Sequence, residues 1–132
     1  MLMLRPWMLL PTLAVLALVT LLHSPTALAA SNLAVQLTVN PPTATTGQTI
    51  IVTESVRNTS GNKQNVALTN TLQGPLSGSD SQHVNLEAGQ TYTQTRSYVV
   101  DATTPRGTYT LTFTATDKSG TATTSATYTI AY

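Results

Sequence analysis

The chain of 132 residues contains no cysteine, which removes disulfides and thiolate metal ligands from consideration. Charge is almost as scarce: Asp, Glu, Lys and Arg together make up 8% of the residues, six basic against five acidic. Binding to nucleic acid needs clustered Lys and Arg to displace counterions from phosphates, and no such cluster is present in the sequence, so no nucleic-acid partner is expected. Aromatic residues are few, with one Trp, five Tyr and one Phe. There are two histidines, His23 and His83. Nucleophilic catalysis of the Ser-His-Asp kind needs a histidine base, and a zinc site needs several ligands, so both chemistries start with almost no material.

The first thirty residues are the most informative positive feature. Arg5 precedes an apolar run from Trp7 to Leu22, followed by His23, Pro25 and the small-residue triplet Ala27-Leu28-Ala29. A positive start, a greasy middle and an A-x-A site make a secretory leader, with cleavage expected after Ala29. Pro11 inside the run, and the absence of a basic cluster after Leu22, favour cleavage over retention as a membrane anchor, so no span is expected in the mature chain. No Cys follows the run, which excludes a lipid-anchored lipoprotein. The expected organisation is a signal peptide over 1–29 and one domain over 30–132, secreted or at the cell surface, or periplasmic in a Gram-negative producer. Cleavage removes Trp7, every Met and Arg5, leaving five basic residues against five acidic ones.

The mature segment is rich in threonine set at every second position, as in Thr108-Tyr109-Thr110-Leu111-Thr112-Phe113-Thr114-Ala115-Thr116. Period-2 alternation with β-branched polar residues is the signature of a strand with one wet face. A glycosylated stalk would be Pro-dense and would lack the alternating apolar partner. The inward set runs Leu33, Val35, Leu37, Val39; then Ile50, Val52, Val56; then Val66, Leu68, Leu72; then Val84, Leu86. It continues through Tyr109, Leu111, Phe113, Ala115 and ends with Ala126, Tyr128, Ile130, Tyr132. Turn signals punctuate it at Asn40-Pro41-Pro42, Asn58–Gly61, Gly74–Asp80, Glu87–Gln90, Asp101–Gly107 and Asp117–Gly120. Gly74 to Asp80 is the expected mobile loop. About seven short strands in roughly 100 residues predict an all-β, immunoglobulin-like two-sheet sandwich.

Three segments then fall in the order seen in bacterial Ig-like modules: Gly47–Val52 running to Val56–Gly61, Leu86–Gln90, and Pro105–Leu111. The chain resembles the NEW3 (NPCBM-associated) and CARDB types of domain, named for association with glycoside-processing enzymes and with cell adhesion. The resemblance implies a non-catalytic module of a surface protein, or an accessory module of a glycoside-processing system.

Among candidate site residues, Glu54 shares the inward parity of Ile50, Val52 and Val56, where an unpaired carboxylate would be costly. Arg96 sits at an equally unusual inward parity between Tyr92 and Tyr98, which makes Glu54 and Arg96 a candidate internal ion pair; the alternative is a strand end open to water. His83 reads as a solvated edge-strand residue, and no catalytic, cofactor or metal site is expected. Asn58-Thr59-Ser60 is a formal glycosylation sequon in an expected surface turn. Asn58, Lys63, Asp80 and Arg106 mark the loops expected to be displayed to an extracellular protein or polysaccharide partner. Self-association through the first strand (Leu33 to Val39) or the last (Ala122 to Tyr132) is the alternative.

Overall fold

A computed structural model describes residues 31–132; the leader read over residues 1–29 lies outside them. Eight strands follow one another: β1 (Leu33–Asn40), β2 (Thr43–Ala44), β3 (Thr49–Asn58), β4 (Gln64–Gln73), β5 (Gly78–Leu86), β6 (Thr91–Val99), β7 (Gly107–Asp117) and β8 (Gly120–Ile130). They form a three-stranded sheet, β1-β3-β6, packed against a five-stranded one, β2-β8-β7-β4-β5. All pairs are antiparallel except β2 with β8. This is an all-β, immunoglobulin-like sandwich, and the alternation that predicts it also decides which side of each strand faces the other sheet.

Two of the expected boundaries differ. The link from Gly74 to Asp80 is shorter than expected, because Gly78, Ser79 and Asp80 already pair with Leu72, Thr71 and Asn70 of β4. Polar, Gly-containing sequence reads as loop, but backbone hydrogen bonds to β4 extend the strand through it, leaving Gly74 to Ser77 as the turn. Gly74 is required there: its φ is +149°, and a Cβ would lie 2.8 Å from the Thr108 carbonyl oxygen. At the other end, β8 stops at Ile130 rather than running to the last residue, and Tyr132 stands 96% exposed beyond it.

The core divides into two clusters. One holds Leu33, Val56, Val66, Leu68, Leu86, Phe113 and Ala115. The other holds Ala44, Ile50, Val52, Val100, Tyr109 and Ile130. Each buried Val, Leu, Ile or Phe contributes about 1.5–3 kcal/mol relative to exposure. Tyr109 also anchors the turn before β7, its hydroxyl donating to the Pro105 carbonyl at 2.8 Å, the corner contact typical of Ig-like sandwiches. Burial pushes the Tyr109 hydroxyl pKa up. Tyr128 stacks on it with ring centroids 5.1 Å apart.

On the outer face of the larger sheet, Thr108–Thr129, Thr112–Ser125, Thr114–Thr123 and Thr116–Thr121 pair through their hydroxyls across β7 and β8 at 3.0–3.4 Å. The outward positions of these two strands are all Thr or Ser. β-Branched polar side chains thus satisfy strand propensity and solubility together, which is how this face does without charge.

Candidate functional site

Between the two core clusters lies a polar layer that starts from parity. Glu54 on β3 and Asn70 on β4 both continue the inward rows of their strands, so the fold buries them at 3% and 6% exposure. Asn70 Nδ2 donates to Glu54 Oε1 at 3.2 Å. Arg96 of β6 enters the same layer from the sheet edge, its Nη2 3.6 Å from Glu54 Oε1 and 3.1 Å from Asp80 Oδ2. One guanidinium therefore serves two carboxylates. Desolvation pushes the Glu54 pKa up; Arg96 and the Asn70 hydrogen bond oppose this, and Asp80 adds to it. Asn70 Oδ1 is buried with no hydrogen-bond partner among the described residues, a cost of about 1–3 kcal/mol.

Asp80 and Arg96 belong to β5 and β6, which are edge strands of opposite sheets and share no backbone hydrogen bonds. On one side of the polar layer side chains tie these edges together: Gln82 Nε2 donates to Gln94 Oε1 at 2.9 Å and lies 3.4 Å from the Tyr92 hydroxyl. On the other side the edges part around a groove of about 450 Å³ that reaches down to the second core cluster. Its floor includes Leu72, Tyr109, Leu111 and Tyr128, and its lip is Leu76, Tyr98 and Val99. These three are 51%, 51% and 67% exposed, and with Ile51 and Tyr132 they are the large hydrophobics left in water among the described residues. Asp80 and Arg96 are the ionic side chains that line it.

The remaining candidate residues lie elsewhere. Asn58 is not displayed: it is fully buried, because it continues the inward row of β3 by one more step. Its Nδ2 donates to the carbonyls of Asn62, Leu86 and Glu87, and its Oδ1 accepts from the Ser60 amide and hydroxyl. The sequon asparagine is therefore a turn clamp rather than a surface acceptor. Lys63 is exposed and pairs with Glu87 at 3.3 Å, a contact worth about 0–1 kcal/mol at the surface. Asp80 is on a strand and bound to Arg96 rather than in a loop. Arg106 donates to the Ala131 carbonyl and to Thr46 Oγ1 at 3.0 Å, and stacks over the Tyr132 ring, so its head group is engaged by its own chain.

His83 points to the outer face of β5, with Nδ1 3.3 Å from Asn65 Oδ1, remote from the groove. Among the described residues no three of His, Cys, Asp and Glu come together to hold a metal ion. In the 101–107 loop, the Thr103 hydroxyl and amide lower the Asp101 pKa, and Thr104 adds to the effect. Asn70 has its signal in the Val66, Leu68, Leu72 row but reads as no site residue in the sequence; Leu76 falls within the Gly74 to Asp80 loop expected at the surface, and whether Tyr98 faces core or solvent depends on which strands become edges.

No family model matches the chain, and no curated protein matches it in sequence. Solved structures do share its shape. The alkylpurine DNA glycosylase AlkC of Pseudomonas fluorescens, bound to DNA containing an abasic site analog, superposes with a TM-score of 0.57 at 15% identity over 78% of this chain. This chain spans only 31% of that glycosylase. The CARDB domain of the PF1109 protein from Pyrococcus furiosus, in complex with di-metal ions, gives 0.55 at 14% identity, covering 75% of this chain and 87% of that one. The sporulation control protein Spo0M of Bacillus subtilis gives 0.53 at 8% identity, over 78% of this chain and 51% of its own. At these identities the likeness is one of fold, and it establishes a sandwich of the kind a CARDB domain has.

Proposed function

We propose that this chain is a secreted, non-catalytic Ig-like module that works at the cell surface by contact, with the β5–β6 side of the sandwich as its contact face. The observation that carries this reading is the coincidence of three exposed large apolar side chains, Leu76, Tyr98 and Val99, with the open groove. Exposed apolar groups gathered around a concavity are the usual mark of a recognition surface, whereas the threonine faces offer nothing comparable. The two carboxylates nearest the groove share one guanidinium, and His83 lies on another face, which favours binding over acid–base chemistry. The CARDB-like shape supports a role in surface contacts; an accessory role in a glycoside-processing system, implied by the NEW3 resemblance, would use the same face.

The test is to label the domain without residues 1–29 and measure its binding to the isolated cell envelope of the producing organism. A variant carrying Leu76→Ser, Tyr98→Ser and Val99→Ser should lose at least roughly tenfold in affinity, the scale of losing central apolar contacts. Unchanged binding would move the contact face elsewhere.

A second reading, assembly by strand pairing, is favoured by the edges themselves. β1, the first strand, is an edge of the smaller sheet and carries no charged residue or Pro, the residues that commonly blunt an edge. β8 is covered by β2 only at Thr129 and Ile130. Sedimentation velocity across a wide concentration range decides this: growth with concentration supports assembly, and a constant monomer removes it.

A further inference from the structure

The groove contains more information than its apolar lining, because its charged end is unbalanced. Arg96 is the cation of the polar layer, and it is divided between Glu54, 3% exposed and inside, and Asp80, 56% exposed at the mouth. Glu54 cannot leave, since β3 is the central strand of its sheet. The guanidinium hydrogen-bonds Asp80 at 3.1 Å and stands 3.6 Å from Glu54, so a single cation serves two carboxylates at the end of an apolar trough. The groove's volume of about 450 Å³ is that of a whole small molecule rather than one inserted side chain.

We infer that the groove is a binding site for a small amphiphile with an aliphatic or aromatic body and a cationic ammonium head, the body lying on Leu72, Leu111 and Tyr128 and the head meeting Asp80. The complementarity is of charge at one end and of desolvation along the rest. An ammonium at Asp80 gains a charge-assisted hydrogen bond and restores one cation to each carboxylate, with Arg96 turned wholly to Glu54. A carboxylate head would meet Asp80 with like charge and find Arg96 already held by Asp80 and Glu54, and a hydroxyl would leave the one-to-two charge ratio as it is. The site deepens the contact-face reading above and rests on it for its biological use.

The probes are octylammonium, 1-octanol and octanoate, which share one chain and differ in the head. Titrated at pH 7 into the 15N-labelled domain, octylammonium should shift the amides around Leu76, Asp80 and Tyr98 and bind roughly tenfold more tightly than octanol, with octanoate weakest. Asp80→Asn should bring octylammonium down to the affinity of octanol while leaving octanol unchanged, and Asp80→Glu should restore the preference. Asp80 is half exposed on an edge strand, so both variants keep the fold, which the same spectra verify. Octanoate binding as well as octylammonium, or a ranking unaffected by Asp80→Asn, overturns the head-group assignment. If no probe binds while the three-serine variant still loses the envelope, the ammonium proposal fails and the contact-face reading stands. If the ranking holds while that variant binds the envelope normally, the ligand site stands and the contact-face reading fails.

Discussion

The two halves of this sandwich are built from the same alternation and end differently. In the half around Val56, Val66, Leu68, Leu86 and Phe113, the edge strands β5 and β6 are tied by Gln82, Gln94 and Tyr92, and the core is sealed. In the half around Ile50, Val52, Val100, Tyr109 and Ile130, Arg96–Asp80 is the side-chain link between the edges among the described residues, and the core opens into the groove. The divide is the layer of Glu54, Asn70, Arg96 and Asp80. With the groove side as the proposed contact face, stability and recognition are allotted to opposite ends of one core. The sealed half fills space with side chains; the open half leaves Leu76, Tyr98 and Val99 partly in water, a cost that a binding surface justifies and a purely structural one does not.

Substitution can test that division, and the largest effect belongs to the sealed half. Phe113→Ala should destabilise by about 3–5 kcal/mol, because the cavity it leaves cannot collapse. Leu111→Ala, beside the groove and only half-buried, should lose about 1–2 kcal/mol. Urea unfolding of both variants checks the order, and equal losses would erase the contrast.

Next in size is Asn58→Ala, which strips three carbonyls of their donor at the end of the sealed half and should lose about 2–3 kcal/mol. A change within experimental error would mean that water replaces the clamp.

A smaller effect sharpens the dividing layer itself. Since the Glu54 pKa is raised, the folded state holds that proton more tightly than the unfolded chain does. Its contribution to stability is therefore fully present below its ordinary 4.5 and falls away as pH rises through the folded value. The Asp101 pKa is lowered, so its contribution runs the other way: present above 3.8 and lost as pH falls through the folded value. Glu54→Gln should flatten the decline above pH 4.5 and leave the acid limb intact, as read from urea midpoints at pH 3, 4.5 and 7.5. A parallel curve for the variant would place Glu54 in water. Least of all, Val99→Thr should change stability by no more than about 0.5 kcal/mol, the range for an exposed position, while weakening envelope binding.

Most of the fold was legible because strand parity is a local property. Leu33 to Val39, Ile50 to Val56 and Tyr109 to Ala115 each declare their inner face within a few residues, and the same rule marks Glu54 and Arg96 as inward. Asn58 and Asn70 obeyed it too, but asparagine suggests a turn or a wet surface more strongly than a buried row, so composition masked the parity. The start of β5 was hidden for a similar reason, since Gly78-Ser79-Asp80 has loop chemistry and becomes strand through pairing with β4. The groove was not readable at all. It depends on β5 and β6 becoming facing edges of different sheets, a long-range outcome with no local signature.

The measurement that bears most directly on the central claim is amide hydrogen exchange of the domain, alone and with the isolated cell envelope of the producing organism. Added protection is expected only at Leu76–Asp80 and Arg96–Val100, around the open half. Protection spread over the threonine face of β7 and β8, with the groove unchanged, would contradict it.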